Sequence, residues 1–378
     1  MDRHEFEKYI RSIGEQDNQW IQFRNRYEQV CRPIILYGAG QGLQWYLKFF
    51  HKLDYPIEAI IDGSNRYIGQ ERRGCKRGIV SVDYLDQVEE AYIIISAPAH
   101  EKEIRLLLEE KQRDQSEIFC FDVSIGVLWD FQISNFINFL HTKTIDYGEL
   151  FEKLADDKSR AALKNVVCNW ATWRADIMRE TAEPNIYFPQ FIKDRMEQEI
   201  FVDCGAYDGD SIQAFLESTK EFSKIFAFEP STLNYKRLLD RNFMKKFDDL
   251  IAVYPYALSD VREQCCFEDL DEQENEGAHI VDNASKDCQT VTAVRLDDVI
   301  KERVTYLKMD IEGAEYKALI GAENLIKTYK PKLAISVYHR YDDLINIYGL
   351  IKKMRNDYSF YLRNNWVCGG TDVVLYAV

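Results

Sequence analysis

Phe201-Val-Asp-Cys-Gly-Ala-Tyr-Asp-Gly-Asp-Ser211 reads as a buried strand that runs into a glycine turn and then a helix. Ile200-Phe-Val supplies the strand, and Ile212, Ala214 and Phe215 give the apolar side of a helix starting near Ser211. A strand, glycine turn and helix in this order open a doubly wound α/β domain, whose ligands sit beyond the carboxyl ends of the strands. The loop is acidic: Asp203, Asp208 and Asp210 surround Gly205 and Gly209. A loop that cradles a pyrophosphate offers bare N–H groups, and carboxylates there repel the ligand. This one suits a ligand with positive groups and no phosphate, as S-adenosylmethionine is with its ammonium and sulfonium.

From Ile200 onward, strands and helices alternate. Strands are expected at Lys224–Glu229, Ile251–Leu258, Thr305–Asp310 and Lys332–Val337, with helices at 233–241, 315–329 and 344–355. Ser359–Arg363 and Val373–Ala377 read as a closing antiparallel hairpin, and Thr290–Arg295 as a short strand. A mostly parallel sheet finished by a hairpin is the Class I methyltransferase layout and not that of a dehydrogenase. The acidic, patternless stretch 263–287 reads as a surface loop or lid.

Upstream lies a second α/β pattern. Strand Pro33–Tyr37, turn Gly38-Ala-Gly-Gln-Gly42 and helix Leu43–Lys52 precede strands at Ile57–Ile61, Ala91–Ser96 and Glu117–Phe121. This is a Rossmann-like half, with Gly38, Gly40, Gly42 and Asp62 as a candidate second nucleotide site; Asp62 stands 24 residues past Gly38, where a ribose acceptor belongs. The glycine fingerprint is imperfect, because its third position falls on Leu43. Residues 126–198 show no strand pattern and read as a helical connector. Trp170 and Trp173 within it read as packing. The expected architecture is therefore two Rossmann-like domains, 1–125 and 199–378, joined by that connector.

Composition narrows the function. With 378 residues, two domains are the default. Set against 63 acidic residues, the 48 basic ones leave a net charge of −15, which argues against nucleic acid and anionic membranes as partners. No apolar run reaches the ~18–20 residues of a membrane span, and the charged N-terminus does not read as a signal peptide. Nine scattered cysteines without a C-x-x-C pair signal neither a zinc site nor a disulfide framework. These features fit a cytoplasmic protein. The stripe Phe6, Ile10, Ile13, Trp20, Phe23 and Tyr27 is expected to pack on its own domain, with a homodimer contact as the alternative.

Polar residues end the downstream strands. Glu229 lies 24 residues beyond Gly205, where a carboxylate can accept both ribose hydroxyls of an adenosyl group. Ser231 and Asn234 read as helix-capping residues. Asp310 and Glu312 alternate by two and would face one crevice; Glu315 is read as first-turn helix electrostatics. His339 follows the fifth strand directly, flanked by Tyr338 and Arg340.

The three blocks Asp203–Gly209, Glu229-Pro-Ser-Thr-Leu-Asn234 and Asp310-Ile-Glu-Gly-Ala-Glu315, with Leu319–Glu323 downstream, occur in order over about residues 185–378. Together they resemble the FkbM family of S-adenosylmethionine-dependent methyltransferases, in the branch with an N-terminal Rossmann-like domain. The resemblance implies O-methylation of a hydroxyl, commonly on a sugar of a polysaccharide, glycan or secondary metabolite. It implies cofactor contacts at Asp203, Gly205, Ala206, Gly209, Asp210, Ser211, Glu229, Pro230, Asn234, Ala257, Leu258 and Asp310. His339, Asp310 and Glu312 are the candidate catalytic groups, one of which would act as base. A divalent ion on Asp310, Glu312 and His339 is the alternative, although methyl transfer itself needs no metal. Competing with this reading are an NAD-dependent oxidoreductase or epimerase of nucleotide sugars working through Gly38–Asp62, and a non-catalytic binding protein. The absence of an evident Tyr-x-x-x-Lys pair counts against the oxidoreductase.

Overall fold

A computed structural model describes residues 1–378 except 41, 65, 131, 175, 269–278, 282–288 and 366–371. Its contacts divide the chain into two compact units. One comprises Met1–Glu152, Arg160–Ala182 and Asn364–Thr371; the other comprises Lys153–Ser159, Glu183–Arg363 and Asp372–Val378. The stretch expected as a connector is thus shared, most of 126–182 going to the first unit and 183–198 to the second.

The first unit is built on five short parallel strands: β1 (Ile34–Tyr37), β2 (Ile57–Ile61), β3 (Ile79–Val80), β4 (Tyr92–Ile95) and β5 (Ile118–Phe119), ordered β3-β2-β1-β4-β5. β1 and β4 are buried along their whole length, as continuous apolar runs in a parallel sheet require. Helix Gln19–Gln29 lays Trp20 and Phe23 against Phe49, Phe50 and Phe121, with Trp20 edge-on to Phe49 at 4.7 Å between ring centres. Phe6 stacks on Phe151 at 4.5 Å. The N-terminal stripe is therefore consumed inside its own unit. Trp170 and Trp173 are core residues as well.

The second unit contains a seven-stranded sheet: β6 (Glu199–Cys204), β7 (Phe222–Phe228), β8 (Ile251–Tyr254), β13 (Tyr306–Met309), β14 (Lys332–Ser336), β15 (Phe360–Asn364) and β16 (Val373–Ala377). Its order is β15-β16-β14-β13-β6-β7-β8. The five strands from β8 to β14 are parallel, and β16 enters antiparallel to β14. Phe201, Phe215 and Tyr306 stack beneath this sheet, with 4.5 Å between the rings of Phe201 and Phe215.

Three expectations are corrected. The single strand Ile251–Leu258 is two strands, β8 and β9 (Tyr256–Leu258), because Pro255 between them offers no N–H to a ladder. β9 instead joins a four-stranded sheet ordered β11-β10-β12-β9, with β10 (Glu263–Glu268), β11 (His279–Val281) and β12 (Gln289–Val294). The acidic stretch 263–287 thus contributes two strands, and the remainder of the expected loop, 269–278 and 282–287, lies outside the described residues. Cross-strand pairing, with Phe267, Val291, Ala293 and Ala257 sharing a small core, outweighs the polar composition. Lastly, the helix 315–329 is broken into Glu315–Gly321 and Glu323–Tyr329. Asp297 caps the second piece from outside, accepting from Asn324 N at 3.0 Å and Leu325 N at 2.9 Å.

Six described cysteines are free, among them Cys120 and Cys204, whereas Cys266 on β10 is disulfide-bonded, a cross-link for which the spacing carried no signal. Among the described residues no helix is long and apolar enough to cross a membrane.

Candidate active site

In an open parallel sheet the crevice forms where strand order reverses, because neighbouring connections leave on opposite faces there. In the second unit that point lies between β6 and β13, and Gly205 marks it. Its φ of +79° is left-handed, and a Cβ on it would stand 1.8 Å from the carbonyl oxygen of Asp310. The first unit repeats the device between β1 and β4: Gly38 has φ +123°, and a Cβ there would meet the Cβ of Ala97 at 2.6 Å. Gly209, φ +93°, starts the helix Asp210–Ser218 and leaves room for Leu238 and Phe243.

The acid at the end of β6 is spent internally. Asp203 is fully buried, with Lys308 Nζ at 3.0 Å from Oδ1 and the Ser211 hydroxyl donating to Oδ2 at 2.5 Å. Burial lifts its carboxyl, against the pull of Lys308 and Ser211. Burial of Lys308 works against its charge, but Asp203 and Asp310 outweigh that and raise the ammonium pKa. Lys308 Nζ also donates to Gly205 O at 2.7 Å, bracing the glycine turn. Asp203 is thus held against the glycine turn by Lys308 and Ser211. Ser211 and Ala206 are buried with it, and Asp210 turns outward, accepting from Ser211 N.

Glu229, directly after β7, is 5% exposed. One oxygen accepts from Tyr207 N and the other from Ser231 N, each at 2.8 Å. Burial pushes its pKa up to about 7 against those two N–H groups. Ser231 caps the helix Thr232–Leu239 by accepting from Asn234 N at 3.3 Å, as the Glu-Pro-Ser-Thr-Leu-Asn block suggests. Asn234 is buried, as are Ala257 and Leu258 on β9.

Beyond β13 and β14 stands a tighter cluster. His339, its side chain 3% exposed, has Glu315 Oε1 at 3.0 Å from Nδ1, and Asp310 Oδ1 and Glu312 Oε2 each at 3.5 Å from Nε2. Burial opposes charge on the imidazole, yet Glu315, Glu312 and Asp310 raise its pKa well above the usual value. Burial likewise opposes ionisation of Asp310, but His339 and Lys308 hold its carboxyl below the ordinary range. Glu312 is pushed up to about 7, chiefly by burial. Its backbone has φ +54°, a left-handed conformation for a residue with a side chain, and such strain concentrates at functional sites.

Three contributors to this cluster were not legible as such. Tyr187 donates to Asp310 Oδ2 at 2.6 Å from a segment without strand pattern. Glu315 is fully buried against His339, more than first-turn electrostatics would need. Lys308 had a sequence signal: one cation in the fully buried strand Tyr306–Met309 implies a buried partner.

In the first unit, both Asp62 oxygens serve the turn. Oδ2 accepts from Ala39 N at 2.8 Å, and Oδ1 from Ser64 N and the Ser64 hydroxyl at 2.8 and 2.7 Å. Gly40 faces open space, and Gly42 precedes helix Leu43–Lys52 without a side-chain cap.

The strand order, with its antiparallel seventh strand inserted between fifth and sixth, defines a Class I methyltransferase fold. Residues 203–359 match the family model described as Methyltransferase FkbM domain. The fold is similar to that of the crystal structure of methyltransferase FkbM from Methylobacillus flagellatus KT, at 22% identity over 94% of this chain and 92% of that chain, with a TM-score of 0.74. Aeropyrum pernix fibrillarin aligns at 10% identity over 48% of this chain and 67% of its own, with a TM-score of 0.31. A search of curated proteins found no match.

Proposed function

We propose that the protein is an S-adenosylmethionine-dependent O-methyltransferase whose acceptor is a hydroxyl of a sugar in a polysaccharide, glycan or secondary metabolite. The observation that carries this reading is the placement of Glu229, Asp310, Glu312 and His339 at the carboxyl ends of β7, β13 and β14, within a domain that matches the FkbM model. The residues fit the methyl donor. Each oxygen of Glu229 uses one lone pair on a backbone N–H and keeps another for a ribose hydroxyl. Gly205 keeps the switch point free of side-chain atoms.

When bound, the donor supplies an electrophilic methyl on sulfonium. The chain's own residues hold the acceptor oxygen in line and exclude water, which accounts for much of the rate in such transfers. Glu312 and Asp310 are the carboxylates proposed to take the hydroxyl proton, Tyr187 fixes the Asp310 carboxylate, and His339, its charge favoured by its carboxylate neighbours, lies beside them.

Calorimetric titration with S-adenosylmethionine tests the reading. Wild-type protein is expected to bind it, and Glu229→Ala to weaken the binding by about 1.5–3 kcal/mol, the worth of hydrogen bonds to a charged group. An unchanged affinity removes Glu229 from the ribose role. Binding of NAD with no binding of S-adenosylmethionine overturns the reading and returns attention to Gly38–Asp62.

Once a panel of sugar hydroxyls gives a turnover assay, Asp310→Asn is expected to lower kcat by roughly 10²–10⁴-fold. Donor affinity should change far less. A near-normal kcat would exclude Asp310 from the chemistry.

A further inference from the structure

We propose that the carboxyl ends of β13 and β14 form a site for one divalent metal ion, with Asp310, Glu315 and His339 as protein ligands and Glu312 on its open side. The inference rests on the methyltransferase reading of the same site and adds the group that would activate the acceptor hydroxyl.

The donors come from three places: the end of β13, the helix Glu315–Gly321 and the end of β14. One ligand atom from each of Asp310, Glu315 and His339 lies within 4.8 Å of the others. Two ligands with bonds of ~2.1 Å stand about 3.4 Å apart at a tetrahedral ion, close to the 3.5 Å between His339 Nε2 and Asp310 Oδ1.

Two buried side chains in the cluster lack the hydrogen bonds that burial demands. Glu315 is fully buried; its Oε1 takes the Ile311 N–H at 2.8 Å, but Oε2 has no partner. Neither ring nitrogen of His339 makes a hydrogen bond of acceptable geometry, although carboxylate oxygens lie 3.0–3.5 Å away. Unsatisfied buried donors and acceptors are expensive. One cation would engage Glu315 and one ring nitrogen of His339, leaving the other nitrogen to a neighbouring carboxylate.

Charge points the same way. Carboxylate oxygens of Asp310, Glu312 and Glu315 lie 3.0–3.5 Å from the ring nitrogens of His339. Three carboxylates surround a single imidazole, a donor set that a doubly charged ion suits. Oxygen donors with one imidazole and no thiolate suit manganese, iron(II) or zinc.

A hydroxyl held on such an ion is more acidic. Its proton passes to Glu312, its oxygen forms the new O–CH3 bond, and the C–S bond breaks with the electron pair left on sulfur.

Full-length protein stripped with EDTA and desalted is titrated with MnCl2 by calorimetry. The expected result is one site per chain, weakened at least about tenfold in Glu315→Gln and in His339→Gln. Glu315→Gln keeps an amide oxygen for the Ile311 N–H, so its near-UV circular dichroism should match wild type. Absence of Mn2+ binding to wild type, or equal affinity in both folded variants, overturns the proposal. A parallel titration with S-adenosylmethionine in EDTA separates the two readings. Donor binding without Mn2+ affinity sinks the metal alone, whereas Mn2+ affinity without donor binding supports the metal and removes the methyltransferase reading.

Discussion

Gly205→Ala is expected to destabilise the second unit by about 2–5 kcal/mol and to abolish donor binding. Two costs add. An L-residue at φ +79° carries roughly 1–2 kcal/mol of backbone strain. The new Cβ would also sit 1.8 Å from the Asp310 carbonyl oxygen, so β6 and β13 must part, and overpacking of this kind costs typically ~1–3 kcal/mol or more. The clash is with backbone, which cannot rotate away, and Asp310 N is tied to Cys204 O at 3.0 Å beside it. Parting the strands moves Asp310 from Tyr187 and His339. Gly349→Ala is the internal control: it is exposed in the helix Asp343–Met354, and a Cβ there meets nothing within 4 Å. That substitution should stabilise by ~0.5–1 kcal/mol. Scanning calorimetry of both variants reads the difference; a Gly205→Ala protein melting with wild type would show that β6 and β13 do not approach as described.

Lys308→Ala is expected to cost about 3–5 kcal/mol, because it strands the Asp203 carboxylate in a fully buried position. Ser211 would remain as its hydrogen-bond partner, and the turn would lose the brace from Lys308 to Gly205 O. The cost belongs to the uncompensated charge more than to the pair itself. The double variant Lys308→Met with Asp203→Asn should therefore be more stable than Lys308→Ala alone, since Asn still accepts from Ser211 and Met fills the apolar space. Urea titrations that rank the double variant below the single one would sink this account. Donor affinity should fall in Lys308→Ala through the displaced turn. Asp203 would then act on the donor through the turn that it holds with Lys308 and Ser211.

The amino-acid sequence alone determined those features whose causes are local. Apolar runs such as Ile34–Tyr37 and Tyr92–Ile95 read as buried strands. Gly205 and Gly209 mark places where the chain turns left-handed, and Ser231 three residues before Asn234 is a helix start. These are properties of a few consecutive residues, so the alternation, the strand ends and the acids on them were legible. Pro255 is legible too, as a residue unable to continue a ladder.

Tertiary structure decided what each polar side chain faces. Asp203 and Lys308 are 105 residues apart in sequence and meet because β6 pairs with β13 in register, Asp203 opposite Lys308. Strand order is set by the packing of helices on the whole sheet, which no short window encodes. The break before Glu323 depends on Asp297, and the strands at Glu263–Glu268 and His279–Val281 depend on pairing partners. Around His339 the same holds: Glu315 looked like ordinary helix electrostatics until β14 brought an imidazole within 3.0 Å of it. Sequence fixes which groups are available at the strand ends; only the assembled sheet decides which of them are turned inward as ion pairs and which remain to meet a ligand.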